Sequence, residues 1–465
     1  MKDISVRIKS IEIWDFKNVQ HGFIDLSKTP SDCEMSVLGL YGQNGSGKTA
    51  IIDVLELLKY ILSGRKVPNR FADYVRIDAP YSIIKYGFNI ENYSSNERMS
   101  VYYSVKIRKG YPEDHENSEE SHVELFDEVL SCGFKSSQLE GKVNTIVNTK
   151  TDKDIAFVPE TKYYQLVGKK RDVDTNLLVA KKLALISSKS FIFSKELIIQ
   201  IENFCSIQHY IDLWKSLSYF GVNELYVINT TNTALIGLNA LPLAFNVVSS
   251  GHVSSGNLLI NLNGTSTIPE ETFEIVNNVI KNMNVVLPQL VPGLTVTVKQ
   301  LGTEYNSKNV KMTKIQLFSQ KNSKAIPLQY ESEGIKKIVS ILQLLIVAYN
   351  NKSFTVAIDE LDSGIFEYLL GELLEIVSER GKGQLIFTSH NLRPLEKLDK
   401  DYIAFTTIDP CNRYVRIKGV KTTNNLRSFY YRDILLGEQK PPLYETTNNY
   451  KIAMAFEEAG EAYGE

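Results

Sequence analysis

The sequence predicts an α/β fold: a phosphate-binding core built on a mixed sheet, interrupted by an inserted α-rich middle domain. Three observations carry this. Residues 42–49 read GQNGSGKT, between an apolar run, VLGLY (Val37–Tyr41), and a helical pattern, AIIDVLELLKYIL (Ala50–Leu62). Strand, glycine-rich turn and helix in that order wrap a backbone around a phosphate. Two further apolar runs end at chemically active residues: FTVAI (Phe354–Ile358) at Asp359-Glu360, and LIFTS (Leu385–Ser389) at His390. Short apolar runs of this kind are buried parallel strands, and ligands gather at their C-terminal ends. Between the first group and the other two lies a long stretch with helical runs, SKELIIQIENFCSIQHYIDLWKSL (Ser194–Leu217) and PEETFEIVNNVIKNMNVVLPQLV (Pro269–Val291).

Taken in order, the chain opens with SVRIKSIEIWDFKNVQHGFIDL (Ser5–Leu26), whose alternation predicts two strands joined by a turn near Lys17-Asn18. The phosphate loop and its helix follow, and Tyr81–Ile107 predicts further strands. The acidic stretch Tyr111–His122 reads as a loop, and so does the Ser/Gly/Asn-rich stretch Asn246–Ser266. Lys311–Gln320 alternates as a strand, and Tyr330–Asn350 predicts a loop entering a buried helix. Asp401–Val420 predicts a hairpin turning at Asp-Pro-Cys-Asn. The expected division is 1–110, an N-terminal lobe; 111–310, a middle domain; 311–420, a C-terminal lobe; and 421–465, a tail able to serve as an interaction segment.

Bulk properties narrow the class. The 465 residues are 43% hydrophobic and 23% charged, a globular balance, and a net charge of −2 gives no global positive field for nucleic acid. Cys33, Cys132, Cys205 and Cys411 form no CxxC pair, so neither zinc nor a redox dithiol is expected. No apolar run is long enough for a membrane span, and the start, MKDISVRIKS, lacks the apolar core of a signal peptide. A cytoplasmic protein is the expectation. The six histidines are scattered, and no motif of a nuclease, protease or nucleophile elbow is visible. Lys169-Lys170-Arg171 and Lys181-Lys182 are the short basic runs available to phosphates, and such runs are usually solvated surface.

The chemistry concentrates in a few residues. Gly42, Gln43, Asn44, Gly45, Ser46, Gly47, Lys48 and Thr49 satisfy GxxxxGK[ST] in full. Successive N–H groups of such a loop point at one phosphate and the helix adds its positive end. Lys48 is placed to reach the β/γ-phosphates and Thr49 to bind Mg²⁺ through its hydroxyl. Asp359 would complete the metal shell and Glu360 would act as general base on an attacking water. Alone, an apolar run before Asp-Glu marks any strand meeting solvent; its place downstream of a complete phosphate loop favours the chemical reading. His390 fits a γ-phosphate sensor, although a single histidine at a strand end is more often structural. In ESEGIKK (Glu331–Lys337), Ser332 can cap a helix and Gly334 permits close approach, so that helix N-terminus is a candidate phosphate donor.

Phosphate loop, Ser-x-Gly helix, Asp-Glu strand, Asp362-Ser363-Gly364 and His390, in that order, resemble ABC/SMC-type ATPase heads. The opening IEIWDFKNVQHGFIDL is similar to the first hairpin of the RecF/SMC group. More narrowly, ESEGIKK, IDELDSGIFEYLLGELL, LIFTSHNLRPLE and NLRSFYYRDILLG resemble stand-alone bacterial ATPases of the AAA_15/AAA_21 type: AbiLi/RloA-like proteins, the PARIS ATPase AriA and, more distantly, the Septu ATPase PtuA and OLD-family heads. The resemblance covers the first ~110 and last ~145 residues and leaves the middle unassigned. It implies ATP and Mg²⁺ as cofactors, hydrolysis to ADP and phosphate, and a dimer of heads or a higher assembly with Ser332 and Gly334 acting in trans. It also implies a role in anti-phage defence with a separate effector, a nuclease or toxin, triggered by a phage protein or by DNA. A RecF/SMC-like ATPase of DNA maintenance is the alternative, and an ATP-assembled scaffold a third. Two departures stand out. The signature reads ESEGI where the family has LSGGQ, and Tyr81–Asn92 holds no glutamine for a Q-loop.

Overall fold

The alternating opening folds as a hairpin, β1 (Ile4–Phe16) and β2 (Val19–Asp25), turning at Lys17-Asn18. The computed structural model describes residues 4–27, 35–93, 97–111, 121–136, 139–140, 142–169, 171–229, 240–249, 252–307, 309–322, 324–417, 426–436, 440–445 and 447–461. Most of the acidic stretch expected as a loop, residues 112–120, lies outside them. After the hairpin, β3 (Ser36–Tyr41) runs through the phosphate loop into α1 (Lys48–Leu62). β4 (Ser82–Asn92), β5 (Glu97–Gly110), β6 (His122–Ser136), β7 (Leu139–Glu140) and β8 (Asn144–Asn148) extend the hairpin into a seven-stranded antiparallel sheet.

The middle stretch supplies α2 (Glu160–Val167), α3 (Arg171–Ile186), α4 (Lys195–Phe204), α5 (Gln208–Tyr219) and, after four strands, α6 (Phe273–Leu290). The helical run Ser194–Leu217 is two helices, because the chain turns extended at Cys205 and Ile207; the Ser194 hydroxyl caps the first by accepting from Leu197 N–H. The strands are β9 (Leu225–Ile228), β10 (Ala240–Ser249), β11 (His252–Asn261) and β12 (Thr265–Pro269). Much of the stretch expected as a loop at Asn246–Ser266 is therefore strand. Ala240–Leu243 pairs with Leu258–Asn261, and the ladder continues through the Ser/Gly/Asn residues to Ser249 opposite His252. Cooperative pairing overrides their low β-propensity.

β13 (Thr295–Tyr305), β14 (Lys311–Lys321) and β15 (Lys324–Pro327) complete a small antiparallel sheet with β12. Then come α7 (Glu333–Asn350), β16 (Thr355–Ile358), α8 (Glu367–Arg380), β17 (Gln384–Thr388), α9 (Pro394–Lys397), β18 (Ile403–Thr406), β19 (Tyr414–Val415), α10 (Leu426–Leu436) and α11 (Asn449–Glu461).

The central sheet runs β19-β18-β3-β17-β16-β9, parallel except for the edge strand β19. Its edge strand β9 comes from the middle of the chain. Alternate residues serve two cores. Leu38, Leu40, Leu225, Val227, Ala357 and Ile386 face α1 and the antiparallel sheet; Val37, Tyr226, Val356, Ile358, Leu385 and Phe387 face α6, α7 and α8. Helix α1 lies between the two sheets and is buried on nearly every side, which explains why its sequence is apolar beyond one stripe.

A glutamine joins the sheets. Gln384, buried on β17, accepts from Ile8 N–H at 2.7 Å and donates to Ile8 C=O at 2.9 Å, acting as a peptide unit toward β1. Beside it, Ser353 accepts from Val6 N–H at 3.0 Å, and Arg7 donates to the Lys382 carbonyl at 2.7 Å. Gln384→Leu keeps the volume but strands both polar groups of Ile8 in an apolar seam. A loss of about 3 kcal/mol is expected, read as a lower urea midpoint.

Candidate phosphate-binding site

The parallel register brings three strand ends level. β17 lies between β3 and β16, with Phe387 opposite both Gly39 and Ile358. The phosphate loop leaves β3, Asp359-Glu360 leaves β16 and Ser389-His390 leaves β17. Lys48, Thr49, Asp359, Glu360, Thr388 and His390 consequently line one cavity of about 450 Å³ with the loop residues Asn44–Gly47.

The loop is held open from behind. A Cβ at Gly42 would sit 1.8 Å from Thr406 Oγ1, so only glycine lets the loop pass β18. Ser46 turns inward, donating to the Gln43 carbonyl at 2.6 Å and pairing with the Thr406 hydroxyl. Helix α1 starts at Lys48 with Gly47 as its N-cap, no side-chain cap and no acid in its first turn. Its first N–H groups are thus left for an anion. The Lys48 ammonium curls back onto the Gly42 and Gln43 carbonyls, 2.9 Å from each. Burial lowers its pKa, against the pull of Asp359, Glu360 and Asp362.

The acids are set by Thr388. Its hydroxyl donates to Asp359 Oδ1 at 2.6 Å and accepts from Glu360 N–H at 2.8 Å. The Thr49 hydroxyl lies 3.4 Å from the same Asp359 oxygen. Thr49 and Asp359 offer two hard oxygens at the mouth of the phosphate loop, a donor set that suits Mg²⁺ shared with phosphates. Among the described residues no group of three or more His, Cys, Asp or Glu side chains is arranged to hold a metal. Glu360 is exposed and adopts φ +46°, a left-handed conformation costly for a non-glycine residue and typical of functional positions. The backbone N–H groups of His390 and Asn391 both donate to Asp362 Oδ2, at 3.1 and 3.0 Å, fixing the histidine loop on the acidic loop.

Ser332 and Gly334 do not line this cavity. Ser332 caps α7, its hydroxyl accepting from Ile335 N–H at 3.3 Å, and is exposed. Gly334 is packed so closely on the Asp362-Ser363-Gly364 turn that a Cβ there would lie 2.1 Å from the Gly364 carbonyl.

Several contributors carry no sequence motif. Lys17 and Asn18, at the turn of the first hairpin, line the cavity, and Asn18 donates to the Gly45 carbonyl. Arg413 holds the Asn18 carbonyl at 2.6 Å, Tyr414 donates to the Gly47 carbonyl at 2.8 Å, and Gln43 accepts from Glu445 N–H at 3.0 Å. Only the polarity of the Lys17-Asn18 turn hints at this in the sequence. Of the basic runs, Lys181 is turned onto the Thr149 carbonyl at 2.5 Å, while Lys170 and the Arg171 side chain lie outside the described residues.

No family model and no curated protein matches the chain. Among solved structures it is similar to an Smc head domain bound to the C-terminal domain of ScpA from Pyrococcus furiosus, at 12% identity over 89% of this chain and 96% of that one, with a TM-score of 0.40. The SMC head domain from Thermotoga maritima gives 13%, 89%, 100% and 0.35, and the recombination mediator RecF with ATP gives 12%, 83%, 94% and 0.34. No helix among the described residues is long and apolar enough to cross a membrane.

Two outcomes follow from this geometry. Thr388→Val leaves Glu360 N–H without the Thr388 acceptor and takes the 2.6 Å donor from Asp359, and a loss of about 2 kcal/mol is expected on thermal unfolding. His390 has its pKa lowered below 6.5, first by burial and then by the Lys48 charge. Between its folded value and 6.5 the unfolded chain binds more protons, so the His390 contribution makes stability fall as pH drops through that window. Histidine NMR titration should place His390 below 6.5, and Lys48→Ala should move it upward.

Proposed function

We propose that the chain is an ATP-hydrolysing head of the ABC/SMC type that closes as a dimer on ATP and governs a separate effector. One observation carries this reading. The phosphate loop, the acids and the histidine line a single cavity, whereas Ser332 and Gly334 stand outside it on an exposed helix start. A site whose own fold leaves the signature residues outside is half of a composite site, and a two-fold pair of heads supplies the other half twice. In this reading 1–110 and 311–420 carry most of the head, 111–310 is the inserted stretch except that β6–β8 and β9 join the two sheets of the head, and 421–465 is an interaction tail.

The residues take these roles. Lys48 leaves its two carbonyls for the β/γ-phosphates. N–H groups of Gly45, Gly47, Lys48 and Thr49 donate to phosphate oxygens. Thr49 and Asp359 would hold Mg²⁺, which when bound supplies charge neutralisation at the phosphates. Glu360, at the exposed strand end, takes a proton from the attacking water. His390, neutral at pH 7, hydrogen-bonds the terminal phosphate. Ser332 and Gly334, with the N-terminus of α7, face the partner's terminal phosphate, so closure and hydrolysis become linked.

The biological setting rests on the resemblance of ESEGIKK, IDELDSGIFEYLLGELL and LIFTSHNLRPLE to defence ATPases: sensing infection, then holding or releasing a nuclease or toxin. A nuclease or toxin co-purifying from cells that carry the neighbouring genes supports that setting. DNA-stimulated ATP turnover with no such companion shifts it to DNA maintenance.

Glu360→Gln should keep ATP binding, lose hydrolysis by about 100-fold or more and accumulate as closed dimers in ATP. A monomer at saturating ATP, seen by light scattering, removes the composite-site reading. Lys48→Ala should abolish ATP binding in equilibrium titration, and unchanged binding would remove the phosphate-loop assignment.

A further inference from the structure

A buried charge network lies directly under the phosphate loop. Asp53 falls one helical turn after Thr49 on α1 and is fully buried. Both of its carboxylate oxygens are engaged. Oδ2 is paired with the Lys17 ammonium, and Oδ1 accepts from the Asn229 side-chain amide at 2.9 Å. Asn229 follows β9, and its amide also lies 3.4 Å from Glu56 Oε2. Glu56, a turn below Asp53 and likewise buried, accepts from Arg70 at 2.6 Å. A carboxylate placed in the core of an otherwise apolar helix is costly unless paired. Its position therefore asks what the pairing achieves.

What it fixes is Lys17. That residue sits at the hairpin turn with φ +52°, a conformation a lysine rarely adopts, and its backbone N–H donates to the Tyr74 carbonyl at 2.6 Å. Its ammonium lies 4.0 Å from the centre of the Tyr74 ring. Two groups thus converge on one ammonium, the Asp53 carboxylate and the Tyr74 ring, while the backbone bond to Tyr74 fixes the residue that presents it. Lys17 also borders both the cavity of the phosphate loop and an adjoining cavity of about 840 Å³ lined by Asp73, Arg76, Asp78 and Lys109. The next residue, Asn18, grips the loop itself at Gly45.

We propose that Asp53 is a positioning residue for the nucleotide: by holding Lys17 from inside the core, it locks the Lys17-Asn18 turn over the open side of the phosphate loop, so that nucleotide enters a site already closed on that flank. Asp53 touches no nucleotide; it acts through Lys17 and Asn18. Pre-organisation of this kind appears in binding, because the ordering of the turn is completed before ligand arrives. The inference rests on the ATP-binding reading above.

The test uses the full chain and ATP. Asp53→Asn keeps the shape and the Asn229 contact but removes the charge that holds Lys17. It should raise both the ATP dissociation constant and KM about tenfold, with kcat within about twofold of the parent. Lys17→Met should do the same, and the double variant should be no worse than either single one, since each breaks the same link. A purely structural Asp53 would lower the melting temperature and leave KM alone. Wild-type ATP affinity in Asp53→Asn, or effects of the two substitutions that simply add, overturns the proposal. Should Asp53→Asn not fold, Asp53→Ser takes its place with the same two outcomes, and wild-type ATP affinity in Lys17→Met overturns the proposal in either case. Lys48→Ala separates the two levels of inference. If Lys48→Ala abolishes binding while Asp53→Asn leaves it intact, only the positioning role fails; if Lys48→Ala also binds ATP normally, the nucleotide reading itself fails.

Discussion

The hydroxyl of Thr388 is the hinge on which the site's geometry turns. It stands at the end of the strand between the phosphate-loop strand and the acidic strand, donates to Asp359 and accepts from Glu360 N–H. Those two bonds set the Asp359 oxygen facing Thr49 and hold Glu360 in its left-handed turn. They are short because parallel pairing makes the three strand ends level, and the pairing is rigid because each strand is buried on both faces. The chemistry at the mouth is thus inherited from packing well below it. The carboxylates need no flexible loop to find their places.

Helix α7 links the two ends of the proposed composite site through the body of one head. Its exposed start carries Ser332 and Gly334, and Gly334 lies against the turn that begins with Asp362. One turn further on, the Lys337 ammonium reaches the Glu360 carbonyl at 3.4 Å. Burial brings the Lys337 pKa down to about 8, while Asp359, Asp362 and Glu360 pull it the other way. A helix that carries an exposed start and also touches its own acidic loop cannot shift at one end without straining the other. In the proposed dimer, contact between heads would be placed in mechanical series with the geometry of the acidic loop.

Much of the site was legible in the sequence because its parts are local. A phosphate loop is eight consecutive residues whose glycines have steric reasons to be glycine, and an apolar strand ending in two acids is nearly as compact. The first hairpin and the helix after ESEGI were readable from periodicity and from Ser332 as a cap. The parts that carry no local signal are non-local contacts. Gln384 looks like any strand residue, yet its amide completes the backbone of Ile8, some 376 residues away. Thr388 is one threonine in an apolar run. The polar stretch Asn246–Ser266 reads as loop because side-chain composition does not reveal that Leu258–Asn261 will find Ala240–Leu243 and zip the rest. Lys17 and Asn18 are an ordinary turn until the fold sets them beside Gly45.

The burial of Asp53 and Glu56 also explains why α1 departs from its own pattern. An all-apolar helix would fill the space between the two sheets equally well, and replacing buried ions by hydrophobic residues often stabilises a protein. The two carboxylates retained there each hold a partner in a definite place. Lys17 comes from the first hairpin, Asn229 follows the edge strand β9, and Arg70 comes from the segment after α1. Three remote pieces of chain are pinned to the helix that begins at the phosphate loop. The helix therefore meets the phosphate loop at its N-terminus and the surrounding architecture along its flank, and the polar network joins those two surfaces inside one rigid element.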